Sequence, residues 1–134
     1  MKIINLKGTD ERLYGLVAHL VMSPAVLRQN NNYPFKTSLR HTWYIAIEAD
    51  TVIGFLPVKD MRPGLYIDNY YIMGDNPQTL GTLLKHLISN SEQDITAMAH
   101  VRHADIFRQH GFISCRKWTK YEKMQHHNIR CEKS

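Results

Sequence analysis

Residues 43–112 read WYIAIEADTVIGFLPVKDMRPGLYIDNYYIMGDNPQTLGTLLKHLISNSEQDITAMAHVRHADIFRQHGF, and the order of their patterns decides the fold. Trp43, Ile45 and Ile47 alternate with Tyr44, Ala46 and Glu48, which is the period of a strand. EADT is a turn, and VIGFLPV completes a hairpin that Pro57 ends or bulges. Pro63 is preset for the first central position of the next turn, and Gly64 for positive φ. A third strand, LYIDNYYIM, puts Leu65, Ile67, Asn69, Tyr71 and Met73 on one face and Tyr66, Asp68, Tyr70 and Ile72 on the other. The period then becomes helical. Asn76 or Asp75 caps a helix, Pro77 fits its first position, and Leu80, Leu83, Leu84, Leu87 and Ile88 form its apolar stripe. DITAMAHV is a buried strand, and RHADIFRQHG a short helix stopped by Gly111. A meander followed by one crossover builds a mixed sheet. Its ligand crevice lies where the first parallel strand hands over to its helix.

Outside this stretch, KIINL reads as a first or edge strand. Thr9 or Asp10 caps a helix whose Leu13, Leu16, Val17, Leu20 and Val21 recur at helical spacing. Ser23-Pro24 breaks or restarts that helix, a second short one runs from Ala25 to Gln29, and residues 30–41 form a loop. FISCRKW and KYEKM are late strands. The expected organisation is one domain over residues 1–124 with a polar tail over 125–134.

The 134 residues are 43% hydrophobic and 22% charged, which suits one soluble globular core and not a disordered chain. No apolar run approaches the roughly 20 residues that span a bilayer. The start has no signal core, so a cytoplasmic protein without a membrane partner is expected. Cys115 and Cys131 read as two unpaired thiols, with Cys115 packed as a small hydrophobe. The net charge of +5 favours an anionic partner: a nucleotide cofactor, a phosphate or nucleic acid. CRKWTKYEKM interleaves cations with Trp118 and Tyr121, a pattern that a solvated strand face explains as readily as a nucleic-acid contact. Despite eight histidines, neither a CxxC nor an HExxH motif is present, and no metal site is expected. His103 and His110 are seven residues apart, about 10 Å along a helix axis. Nucleophile-elbow, P-loop and Rossmann motifs are absent as well.

Three segments together resemble the GNAT family of acyltransferases. YIAIEADTVIGF is similar to the family's second and third strands, and HADIFRQHGF to its late helix with a terminal Gly-Phe. Between them, NPQTLGTLL stands where the family carries Arg/Gln-x-x-Gly-x-Gly/Ala and a leucine pair. The resemblance covers about residues 42–124, and residues 1–30 more loosely. It implies an α/β domain with a mixed, mostly antiparallel sheet of about six or seven strands flanked by helices. It also implies acetyl-CoA or another acyl-CoA as co-substrate, without a metal. The family holds the CoA pyrophosphate on backbone N–H groups at a helix N-terminus, where the macrodipole favours an anion and glycines let it approach. Here Asn76 takes the Arg/Gln position, Thr79 the first Gly position and Gly81 the second. Pro77 removes one amide; Gln78, Thr79, Leu80, Gly81 and Thr82 offer the rest. Thr79 adds a β-carbon at the phosphate, with a hydroxyl that can donate to it.

The implied reaction is direct attack of a neutral primary amine on the thioester, with a base to take its proton. A backbone amide from Tyr71, Ile72 or Met73 would hold the carbonyl oxygen. Asp68 is the expected base, partly desolvated just upstream of the cradle. Tyr70 is a second catalytic candidate, and Tyr44 and His41 are expected to line an acceptor pocket with it. The family's acid, a Tyr in the late helix, corresponds to Phe107, which has no proton to give. His100 aligns with a frequent Asn and can serve the cofactor or act as acid. Two rival functions stay open: a GNAT-fold binding or assembly module that has lost its cofactor site, and a nucleic-acid binder or modifier. The acceptor is expected to be a small molecule or a protein amine, and the protein a monomer or homodimer.

Overall fold

The computed structural model describes residues 1–127. Its first element is β1 (Lys2–Lys7), followed by α1 (Glu11–Val21), which Asp10 caps by accepting from the Arg12 N–H at 2.8 Å. Ser23 caps α2 (Pro24–Gln29), with Pro24 inside its first turn. The hairpin strands are β2 (His41–Glu48) and β3 (Thr51–Asp60). Then come β4 (Leu65–Ile67), β5 (Tyr71–Ile72) and a 3-10 turn over Met73–Asp75. Asn76 caps α3 (Pro77–Ser89), as expected. The chain closes with β6 (Ile95–His100), a 3-10 turn, α4 (Ala104–Gln109), β7 (Ile113–Lys117) and β8 (Tyr121–His126).

The strands form one eight-stranded sheet in the order β1-β2-β3-β4-β6-β8-β7, with β5 paired to β3 off this path. Every pair is antiparallel except β4 with β6, so the sheet is mixed and mostly antiparallel. α3 and α4 cover one face. There Leu80, Leu83, Leu84 and Leu87 meet Leu56, Ile67, Ala97 and Met124, all fully buried. α1 and α2 cover the other face only over β1, β2, β3 and β5, where Leu13, Val17 and Val26 pack on Trp43, Ile45 and Phe55. Among the described residues the same side of β4, β6 and β8 has no helix, and Tyr66, Thr96, Met98 and Lys123 line an open surface there.

Five local expectations need correction. LYIDNYYIM is not one strand. It breaks at Asp68–Tyr70, and the break shifts the side-chain parity by one, so Tyr70 and Ile72 join Ile67 in the α3/α4 core while Tyr71 faces α1 and α2. Pro57 neither ends nor bulges β3. It pairs with Trp43 and lies opposite that break, since β4 pairs β3 at Val58–Asp60 and β5 pairs it at Gly54–Phe55; the bulge sits at Ala46/Ile47 instead. The Arg62–Pro63 bond is cis, and positive φ falls on Arg62 rather than Gly64. Cys115 is exposed at the edge strand β7, not packed. Gln125 and His126, assigned to the tail, are the last residues of β8. The tail over 128–134, with Cys131, lies outside the described residues. No helix among the described residues is long and apolar enough to cross a membrane.

Candidate active site at the split between β5 and β6

The site begins where two pairings part. β4 runs parallel to β6 through Leu65↔Ile95, Tyr66↔Thr96 and Ile67↔Ala97. After three intervening residues β5 pairs with β3 and not with β6, while Met98–His100 stay paired to β8. A split therefore opens between β5 and the end of β6, and α3 starts just beyond it.

Tyr70 fills this split. Its side chain is 2% exposed, and its ring packs on Phe107 with centroids 5.9 Å apart. Its hydroxyl oxygen accepts the His100 backbone N–H at 3.1 Å and lies 2.7 Å from His103 Nδ1. His103 Nε2 is 2.7 Å from Asp75 Oδ1. A carboxylate can only accept, so His103 carries its proton on Nε2, and its Nδ1 accepts from the Tyr70 hydroxyl. Burial lowers the His103 pKa and keeps this ring neutral, although its bond to Asp75 opposes that. Burial also works against the Asp75 carboxylate, but the Arg102 and His103 hydrogen bonds prevail and hold its pKa below the ordinary value. Arg102 Nε meets Asp75 at 2.9 Å and its terminal nitrogen donates to the Gln29 carbonyl at 3.0 Å. Gln29 Nε2 in turn donates to the Ile72 carbonyl at 2.8 Å. The hydroxyl of Tyr70 stays protonated, since burial raises its pKa far above the ordinary value.

His100 is 2% exposed at the end of β6. Its Nε2 lies 3.1 Å from Asn30 Oδ1. Asn30 spends its amide hydrogens on the Tyr33 carbonyl and Asn69 Oδ1, so the His100 proton sits on Nε2. Among the described residues, Nδ1 is left as a buried acceptor without a partner. Burial, with Arg102 and His103 nearby, pushes the His100 pKa down to about 3, so the ring is neutral and a poor proton donor.

The expected phosphate cradle is closed by its own cap. Asn76 Oδ1 accepts from the Gln78 N–H at 2.9 Å and the Thr79 N–H at 3.4 Å, and the Asn76 carbonyl takes the Leu80 N–H at 3.2 Å. Thr79 and Leu80 turn into the core at 1% and 0% exposure. Pro77, Gln78, Gly81 and Thr82 line an open depression with Lys85 and His110. Met73 opens the 3-10 turn before the cap and is exposed.

Asp68 stands at the break itself, on the side of the sheet left open by α1 and α2. Two cavities of about 190 and 250 Å³ meet at Lys36, Asp68 and Asn69. Asp68 is exposed at the mouth of this groove, where partial desolvation raises its pKa and the charge of Lys36 opposes. His41 lines the first cavity, with Nδ1 2.8 Å from the Ser38 hydroxyl. Tyr44, expected in the same pocket, lies on the opposite face, packed against His86 of α3 at 5.8 Å. The sequence reading treated Asp75 only as a cap and His103 only as a metal candidate. Their pairing spans 28 residues of sequence, and no local pattern signals it. Among the described residues, no three His, Cys, Asp or Glu side chains are grouped to hold a metal ion.

Solved structures share this architecture over nearly their whole length. An acyl-CoA N-acyltransferase from Pseudomonas aeruginosa matches 93% of this chain and 98% of its own, with a TM-score of 0.72 at 13% identity. A GNAT family acetyltransferase from Elizabethkingia anophelis with acetyl-CoA bound matches 94% and 97%, with a TM-score of 0.62 at 14% identity. The chain has the GNAT fold. The aminoglycoside 6'-N-acetyltransferase from Enterococcus faecium also has this fold, matching 97% and 98% with a TM-score of 0.66 at 12% identity. No family model and no curated protein matches the sequence. Across the GNAT fold at such identities the backbone is shared, and the chemistry has to be read from this chain's own side chains.

Proposed function

We propose that the chain is an acyl-CoA-dependent N-acyltransferase that moves an acyl group, acetyl in the simplest case, onto a primary amine. The observation that carries this reading is the split between β5 and β6, which lies beside the α3 N-terminus, next to the break where Asp68 lines an open groove. An acyl-CoA supplies the activated carbonyl. Two features of the chain fit it: the split itself, and the bare Nδ1 of His100, an acceptor suited to an amide N–H of an extended arm. Asp68 takes the proton of the attacking amine. Backbone from Tyr71, Ile72 and Met73 faces the reacting end, and Asn76, Gln78, Thr79, Leu80, Gly81 and Thr82 the phosphate end. Tyr70 turns aside to admit the arm, and its hydroxyl brings a proton to the neighbourhood where Phe107 has none. Here His100 acts as a hydrogen-bond acceptor rather than an acid. A cytoplasmic location and a monomer or homodimer go with this reading.

The test is a titration with acetyl-CoA and free CoA, followed by melting temperature and by release of free thiol with a panel of amines. At a concentration 100 times the Kd, binding raises stability by about 2.7 kcal/mol. Gly81→Val is expected to abolish the shift, because even a Cβ there lies 3.0 Å from His110 Nε2. Asp68→Asn is expected to keep the shift and lower turnover on the order of 100-fold. Absence of any shift at millimolar acetyl-CoA overturns the proposal.

One observation favours a second reading, a GNAT-fold binding or assembly module. Tyr70 and Asn76 already satisfy the donors that a CoA arm and its phosphates would use. That module shows no acetyl-CoA shift in the native chain or in Tyr70→Ala.

A further inference from the structure

We infer that the groove in front of Asp68 selects a primary amine that also carries an anionic group, a carboxylate or a phosphate, on a flat apolar body. The assignment of the amine to Asp68 rests on the acyltransferase reading above. The two cavities at this carboxylate differ in character. The first adds Lys59 and His41 to the shared Lys36 and Asp68. Among the described residues neither lysine is in a salt bridge, and Asp68 is the one acid lining the cavity. Both charges reach into the space: Lys36 acts on Asp68, and Lys59 on His41. One carboxylate can balance one ammonium. The second lysine then leaves a positive surplus that a neutral amine does not answer and a polycation makes worse.

The second cavity is built for a different part of the ligand. Tyr33 and Tyr121 form its wall, with ring centroids 6.4 Å apart at 58°, and Met98 and Pro34 add apolar surface. It shares Lys36, Asp68 and Asn69 with the first cavity. A ligand spanning both therefore places its amine at the junction, its anion between Lys36 and Lys59, and its ring against the tyrosines.

The test measures binding to the protein without acyl-CoA, by calorimetry, for five probes: phenylalanine, phenylalaninamide, phenylalaninol phosphate, phenylalaninol and spermidine. Phenylalanine or phenylalaninol phosphate is expected to bind at least about tenfold more tightly than its uncharged counterpart. The stronger of the two identifies carboxylate or phosphate as the anion. In Lys36→Met/Lys59→Met the advantage disappears while phenylalaninamide and phenylalaninol bind at least as tightly as before. Preference for spermidine, equal binding of charged and uncharged counterparts, or no binding of any probe overturns the inference. Selective binding without any acetyl-CoA shift retains this inference and removes the transferase reading.

Discussion

Tyr70 joins three chain segments through one oxygen. It accepts from β6 at His100 and donates to His103, which donates to Asp75 ahead of α3. Tyr70→Phe keeps the ring against Phe107 and strands both the His100 N–H and His103 Nδ1. A buried polar group without a partner costs about 1–3 kcal/mol, and we expect a loss of about that size in urea denaturation. An unchanged midpoint would show that the hydroxyl does not hold the split closed. The two histidines make a second expectation. Burial lowers both pKa values in the folded chain, His100 to about 3. The unfolded chain protonates them near the ordinary value of about 6.5, so it binds more protons below that pH, and stability falls as pH drops. The limiting slope is about 1.4 kcal/mol per pH unit for each histidine, between pH 6.5 and the lowered pKa. The Asp75 carboxylate, with its lowered pKa, adds its own loss only at more acid pH. Denaturation at pH 7.5 and 5.5 reads this slope, and His100→Asn is expected to reduce it; a flat profile contradicts the buried, neutral assignment.

Helix α3 is set on the sheet by two small features. Gly54 in β3 leaves room for α3, since a Cβ there would lie 3.0 Å from the Tyr71 carbonyl and 3.1 Å from Thr79 Cγ2. Gly54→Ala is expected to cost about 1–3 kcal/mol by overpacking. Thr79→Ser removes the methyl group and is expected to recover part of that loss, a coupling read in a double-mutant cycle. Strict additivity would mean that the helix shifts instead. Both residues illustrate what was legible at this scale. The Asn76 cap, Pro77 and the leucine stripe specify α3 completely, because capping and helical period are local. The break in LYIDNYYIM was not legible, because strict alternation continues through Asp68–Tyr70 and only pairing with two different neighbours divides it. That missed break reversed the faces of Tyr70 and Tyr71, and with them the expectation of an open crevice.

The whole molecule is a sheet with one complete and one partial helical layer. α3 and α4 bury a continuous core from Tyr44 to Met124, whereas α1 and α2 stop at β5 and leave the groove at Asp68 open. This asymmetry made the fold readable from order alone, while the closed split depends on contacts between distant segments. It also makes the two layers unequal in stability. α2 has six residues with one buried side chain, yet it carries Gln29 and bears Asn30 at its end, the residues that hold Ile72 and His100. Short, lightly buried elements open at lower free energy than the core. Hydrogen exchange is therefore expected to show α2 opening before β2, β3 and α3. The His100 amide, bonded to a side chain rather than a strand, is expected to exchange faster than its neighbours in β6. If the transferase reading holds, acetyl-CoA slows exchange at His100, where the arm replaces Tyr70 as partner, and at the start of α3, where the phosphates replace the Asn76 side chain. Exchange of α2 and the His100 amide only through global unfolding would mean a split that is permanently shut. With the split permanently shut, the pantetheine arm of an acyl-CoA would have no way between β5 and β6, and acyl transfer at Asp68 would have no route.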